Sequence, residues 1–132
     1  MKRPEAAAYI TKARQALKEA RIVAASELSQ AAGRAAYLAA YHAAQAFVFD
    51  NTGKAAKTHS GVRSEFSRLA KDDPRIEREF PTFLARAYTF KETADYAIGH
   101  EAGVSIAEAE QAIEIATRFV ESMAHLLSEG EG

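Results

Sequence analysis

The sequence has no cysteine among its 132 residues. That excludes disulfides, thiolate zinc sites, iron–sulfur clusters and cysteine nucleophiles. Strand-favouring residues are scarce, with five valines and seven isoleucines, which argues against an all-β fold. Long hydrophobic runs are missing too. The longest uncharged stretch is the fifteen residues 35–49, with His42 and Gln45 inside it, whereas a membrane helix needs about 20 apolar residues. The opening stretch, MKRPEAAAYITKAR, lacks the apolar core of a signal peptide. Together these predict a cytoplasmic protein. Nor is there an excess of one charge: 17 basic side chains face 18 acidic ones. The chain as a whole therefore lacks the field of an electrostatic nucleic-acid binder, and only a local basic patch could act as one.

What the chain does have is alanine, 30 residues of it, the strongest helix former. Its length fits one domain with a real core, and apolar residues recur at helical spacing in five segments. The first is expected over residues 4–25, opened by Pro4, with Tyr9, Ala13, Ala16, Leu17 and Ala20 on one face. The second is expected over 26–50, capped by Ser26 or Ser29 and ended by Asn51-Thr52-Gly53. It is apolar nearly all round, which predicts a central helix, a dimer interface, or both. A loop over 53–60 leads to a short third helix over 61–71, with Val62, Phe66, Leu69 and Ala70 as its stripe. Asp72-Asp73-Pro74 stops it. After an irregular turn over 75–80, Pro81 opens a fourth helix that runs to 98 and is closed by Gly99. Its apolar positions are Phe83, Leu84, Ala87, Tyr88, Ala94 and Ile98. The fifth begins at Ser105, where Ser105-Ile106-Ala107-Glu108 reads as a capping box. Ala109, Ala112, Ile113, Ala116, Phe119, Val120 and Met123 are expected to face inward. The expected fold is all-α: an antiparallel up-and-down bundle of four long helices plus a short one. It occupies residues 1–127, with 128–132 as a disordered tail.

Four histidines are candidates for chemistry. His42 lies mid-helix on the face of Leu38, Gln45 and Phe49, either as a hydrogen-bonded interior residue or as part of a site. His59 lies in KTHSGV, just before a helix. Free N–H groups and the helix dipole bind anions there, with Lys57 preceding and Lys54 and Arg63 flanking. The other reading of this segment is an ordinary N-cap by Thr58 or Ser60. His100 follows Gly99 and could complement a helix C-terminus. Arg118 and His125, six residues between them, form a spacing that cuts RNA in some helical domains, but about one such pair is expected by chance in this composition. A di-metal bundle needs Glu-x-x-His pairs on two helices, and there is none; Glu121 and His125 are four apart, once. Glycine-rich phosphate loops, G-x-S-x-G and H-E-x-x-H are also absent. No metal or cofactor is expected.

The stretch GRAAYLAAYHAAQA, residues 33–46, resembles the central helix of HEPN domains, small helical domains often encoded beside a minimal nucleotidyltransferase. KTHSGV, 57–62, resembles that family's loop and next helix start. KETADY, 91–96, resembles its R-x-x-A-D-Y segment, and SIAEA, 105–109, the start of its last helix. The resemblance spans about residues 5–125. It implies a bundle of four or five helices, commonly a two-fold dimer. Many members are metal-independent endoribonucleases that act as toxins or in phage defence, with an arginine and a histidine meeting their symmetry mates at the dimer cleft. Arginine can clamp the scissile phosphate, and histidine can move the 2′-hydroxyl proton.

At the corresponding places this chain has Lys91 and Tyr96. Lysine keeps the charge but loses the planar fork. Tyrosine, with a reference pKa of about 10, is a poor base at neutral pH. Asp95 could take a proton or pair with Lys91 and quench its charge. The expected function is therefore a non-catalytic binding module. It would be a homodimer, closed through the alanine faces of the second helix with Phe47 and Phe49, that associates with a partner nucleotidyltransferase, a nucleotide or RNA in a toxin–antitoxin or defence setting. Arg34, His42, Lys57, His59 and Arg63 are the expected binding residues. The alternative is a metal-independent endoribonuclease with Lys91, Tyr96 and Asp95 as its catalytic set. A purely structural helical dimer is a third reading. Convergence of Arg34, His42, Lys91 and Tyr96 in one cleft would favour a site.

Overall fold

Alanine at every third or fourth position makes a helix thin enough for neighbours to close on it from several sides. The computed structural model describes residues 3–98 and 103–129, and it shows this for the second of its helices. The elements are α1 (Glu5–Ala25), α2 (Ser29–Thr52), α3 (His59–Lys71), α4 (Glu79–Tyr96) and α5 (Ile106–Glu129). α2 packs against each of the other four, burying Ala36, Ala39, Ala40, Ala43 and Ala44 together with Tyr37, Tyr41 and Phe47.

Side-chain contacts fix the directions. Arg3 reaches Asp50 and Tyr9 meets Phe49, so α1 runs antiparallel to α2. Arg34 meets Asp95 and Tyr37 meets Tyr88, so α4 does too. Val104 lies over Gly33 at the start of α2, while Leu126 and Phe47 line one pocket near its end, so α5 runs parallel to it. α1, α2, α4 and α5 thus form the expected up-and-down bundle. The short helix, α3, lies parallel to α2: His59 packs on Tyr41 and, two turns later, Phe66 on Phe47. That geometry requires the chain to double back after α2. Gly53 makes the reversal possible with a left-handed φ of 74°. Residues 54–58 then return along α2 by roughly 16 Å, three turns of helix. Thr58 ends the return by capping α3, its hydroxyl accepting from the Gly61 N–H at 2.9 Å. The capping box of α5 forms as expected: Ser105 N–H donates to Glu108 Oε1 and Glu108 N–H donates to Ser105 Oγ, both at 3.1 Å.

Several expectations are corrected. α2 begins at Ser29, not Ser26, and its N-cap is Leu28 without a side-chain bond, because the α1–α2 turn is closed by backbone bonds to Val23 and Ala24. α3 starts two residues early, at His59. α4 spans Glu79–Tyr96 rather than 81–98. Pro81 is accommodated within its first turn, where no donor is needed, and Phe80 is core rather than turn. Ile98 is 82% exposed instead of inward, while Gly99 and His100 lie outside the described residues. On α5 Ile113 is half-buried and packs against both apolar clusters, and Ile115, which the periodicity leaves out, is buried as well. Phe47 is core, edge-on to Phe66 at 5.9 Å, and offers nothing to a dimer interface. α5 continues through Ser128 and Glu129, and residues 130–132 lie outside the described residues.

Candidate ligand-binding face of α2, α3 and α4

Tyr37 and Tyr41 stand one turn apart on α2, both buried. The His59 imidazole, brought there by the returning loop, stacks on Tyr41 at 4.1 Å and shares a 2.8 Å hydrogen bond between Nδ1 and the Tyr37 hydroxyl. Tyr88 of α4 closes the other side, 5.5 Å from the imidazole and edge-on to Tyr37 at 5.6 Å. One turn beyond His59, Arg63 lays its guanidinium over the Tyr88 ring at 4.1 Å. Its Nη1 is buried and finds no hydrogen-bond partner among the described residues.

This setting fixes the protonation states. Burial pushes the Tyr37 phenol far above its ordinary value, with Arg63 opposing, so Tyr37 stays protonated. Burial pushes His59 below its ordinary value, and the charges of Lys91 and Arg63 act the same way, with Glu92 opposing. His59 is therefore neutral at pH 7, with Nδ1 occupied and Nε2 without a hydrogen-bond partner among the described residues.

Beside this aromatic cluster lies an ionic one. Arg34 Nε donates to Asp95 Oδ1 at 2.7 Å, and Lys91 Nζ lies 3.3 Å from Asp95 Oδ2. One carboxylate thus bridges two cations from two helices. Burial alone would raise the Asp95 carboxyl, but Arg34 and Lys91 hold it below its ordinary value. Against the opposing effect of burial, Asp95 and Tyr96 raise the Lys91 ammonium. The Lys91 side chain is only 15% exposed, and its ammonium lies 5.1 Å from the Tyr96 ring and 6.0 Å from that of Tyr88. Tyr96 itself is 66% exposed.

Arg34, Lys91, Asp95 and Tyr96 therefore come together, with His59 and Arg63 next to them. His42 does not join them directly. Its ring is tilted to that of Tyr41, 5.5 Å away between centroids, and its Nδ1 is hydrogen-bonded to Gln45 Oε1 at 2.7 Å. It opens instead onto a groove of about 190 Å³ between α1 and α2, lined also by Lys12, Gln15, Glu19 and Leu38. Burial lowers its pKa as well. Lys57 is exposed on the loop and makes no hydrogen bond or ion pair among the described residues. Arg118 and His125 are no pair: Arg118 is held by Glu77 and Glu79, and His125 by Glu129. The sequence reading missed Tyr37, Tyr41, Tyr88 and Glu92. Spacing was the available signal, since Tyr37, Tyr41 and Arg34 share a stripe, as do Tyr88, Lys91 and Asp95. It also missed Asp50, a buried carboxylate that accepts from the Arg3 backbone N–H at 2.8 Å and ties the N-terminal segment down.

The two lowered histidines give a pH dependence whose sign follows from linkage. Below their unfolded value of about 6.5, the unfolded chain binds more protons at His42 and His59 than the folded chain. Stability is thus fully present above about pH 6.5 and is lost as pH falls toward the lowered folded values. Thermal melts are expected to be flat between pH 7 and 8 and to fall steadily from pH 6.5 to 5. His42→Gln and His59→Gln should each flatten that slope, even where they lower stability at pH 7.

These features define an all-helical domain with a central alanine-rich helix and a mixed cationic and aromatic face on its second, third and fourth helices. The HEPN domain family matches residues 6–126, and the chain belongs to that family. Its fold is similar to the crystal structure of TT1696 from Thermus thermophilus, with a TM-score of 0.75 and 22% sequence identity, covering 95% of this chain and 98% of that one. At that identity the likeness is one of fold. No curated protein is significantly similar in sequence. Among the described residues no helix is long and apolar enough to cross a membrane, and no three acidic or histidine side chains gather as metal ligands would.

Proposed function

We propose that this HEPN domain is a non-catalytic binding module that holds RNA, or a nucleotide, on the α2–α3–α4 face. It does so as a homodimer, alongside a partner nucleotidyltransferase, in a toxin–antitoxin or defence setting in the cytoplasm. The observation that carries this reading is the meeting of Arg34, Arg63 and Lys91, from three helices, beside the rings of Tyr88 and Tyr96. Cations meet phosphates and rings stack on bases, and neither needs a strongly basic chain. The same geometry weighs against Lys91 and Tyr96 as an acid–base pair. Lys91 is held in its charged form by Asp95, so it is no base, and Tyr96 is largely exposed. Ile22, Leu28 and Ile98 are exposed at the end of the bundle where α1 and α4 finish, and they supply apolar surface for the dimer.

Metal-independent endoribonuclease activity is the second reading. It is favoured by a different residue, the neutral His59: in the tautomer whose Nδ1–H donates to the Tyr37 oxygen, Nε2 keeps a lone pair that can take a proton. Incubation with total tRNA in the presence of a chelator separates the two. The binding module should retard intact RNA. Cleavage to cyclic-phosphate ends that survives Lys91→Ala but is lost in His59→Ala would establish the ribonuclease. RNA neither bound nor cut at high protein concentration would remove both.

A further inference from the structure

The Arg34–Asp95–Lys91 bridge does little for the helix that carries it. Asp95 is the penultimate residue of α4, where the helix dipole disfavours a negative charge. Lys91 precedes Asp95 by four residues, the weaker orientation for such a pair. Both ion pairs are partly exposed, with side-chain exposures of 42% and 24% for Arg34 and Asp95, a setting in which ion pairs contribute little stability. Yet the carboxylate's two oxygens are divided between two cations, Oδ1 to Arg34 and Oδ2 to Lys91. A phosphate's non-bridging oxygens would be divided in the same way.

We infer that Asp95 is a built-in competitor for the ligand's phosphate: it occupies the Arg34 and Lys91 cradle in the free protein, and a phosphodiester must displace it to bind. The inference rests on the binding reading proposed above. Because the pairs are weak, an incoming phosphate can displace the carboxylate. Because Asp95 stays charged to well below neutral pH, the competition operates at every physiological pH. The contact lowers affinity and favours ligands that offer several phosphates, whose remaining groups can engage Arg63 while one of them displaces Asp95. A lone inorganic phosphate should therefore bind poorly to the native protein.

The test measures binding of a fluorescein-labelled single-stranded RNA 12-mer by anisotropy, with chelator, at low salt. The proteins are wild type, Asp95→Asn, which keeps the shape and removes the charge, and Glu110→Gln, which removes the same charge from α5. Thermal melts check that each is folded. Asp95→Asn is expected to bind about tenfold more tightly than wild type, and Glu110→Gln within about twofold of it. Equal gains in both variants would reduce the effect to overall charge and overturn the inference. Binding by wild type with no gain, or a loss, in Asp95→Asn would overturn it while leaving the binding reading intact. Binding by none of the three would overturn both.

Discussion

Phe119→Ala is expected to destabilise the domain by about 3–5 kcal/mol, the usual cost of deleting a buried aromatic ring. Phe119 is fully buried on α5 between two other rings, Phe66 of α3 at 5.1 Å and Phe80 of α4 at 4.8 Å. The substitution removes one ring's dispersion contacts with both neighbours and leaves a cavity that three helices cannot close without moving. Domains of this size are stable by only about 5–15 kcal/mol, so about a fifth or more of the total is at stake. The midpoint of urea unfolding should fall with little change in slope, and the melting temperature should drop by about 10 °C or more. Tyr96→Phe, on the surface, should change stability by less than about 0.5 kcal/mol. A loss below about 1 kcal/mol for Phe119→Ala would mean that the three rings do not hold α3 and α4 to α5. The effect reaches the ligand face, because α3 and α4 carry His59, Arg63 and Lys91.

The second large effect is on binding. Arg34→Ala combined with Lys91→Ala removes two of the three cations of the face and leaves Asp95 as an unpaired negative charge in the cradle. RNA affinity should fall at least tenfold, about 1.4 kcal/mol, and the deficit should be largest at low salt, where phosphate contacts are least screened. The fold should survive, since both pairs are partly exposed and such pairs add about 0–1 kcal/mol. Affinity within twofold of wild type in a folded double variant would place the ligand elsewhere, with the His42 groove between α1 and α2 as the next surface to probe.

Much of the architecture could be read from the chain because helical periodicity is a local property. The alanine-rich α2, the Ser105–Glu108 box and the Asp72-Asp73-Pro74 stop each signal through neighbouring residues. Errors arose where tertiary contacts decide. Phe47 is an apolar residue that the sequence leaves free for an interface, and Phe66 of α3 packs against it. Ile115 lies off the inward stripe of α5, and only the packed helix shows that it is buried beside the half-buried Ile113. Ile98 falls on the inward stripe only when the period of α4 is carried past its end at Tyr96. At the site, the resemblance drew attention to Lys91, Asp95 and Tyr96, and the structure brings them together with Arg34. The Tyr37–His59–Tyr41 stack was not legible. It depends on α3 running parallel to α2, a consequence of the turn at Gly53 and the returning loop, which spacing along one helix does not encode.

The most direct test of the account is the salt dependence of RNA binding. Two phosphates held on one face, one in the Arg34 and Lys91 cradle and one at Arg63, should give a slope of log affinity against log salt of about −1.4 for a single strand, at roughly −0.7 per phosphate neutralised. In the Arg34→Ala/Lys91→Ala variant the slope should shrink to about −0.7. A wild-type slope near zero, or a slope unchanged by the double substitution, would contradict the claim that this face binds phosphates.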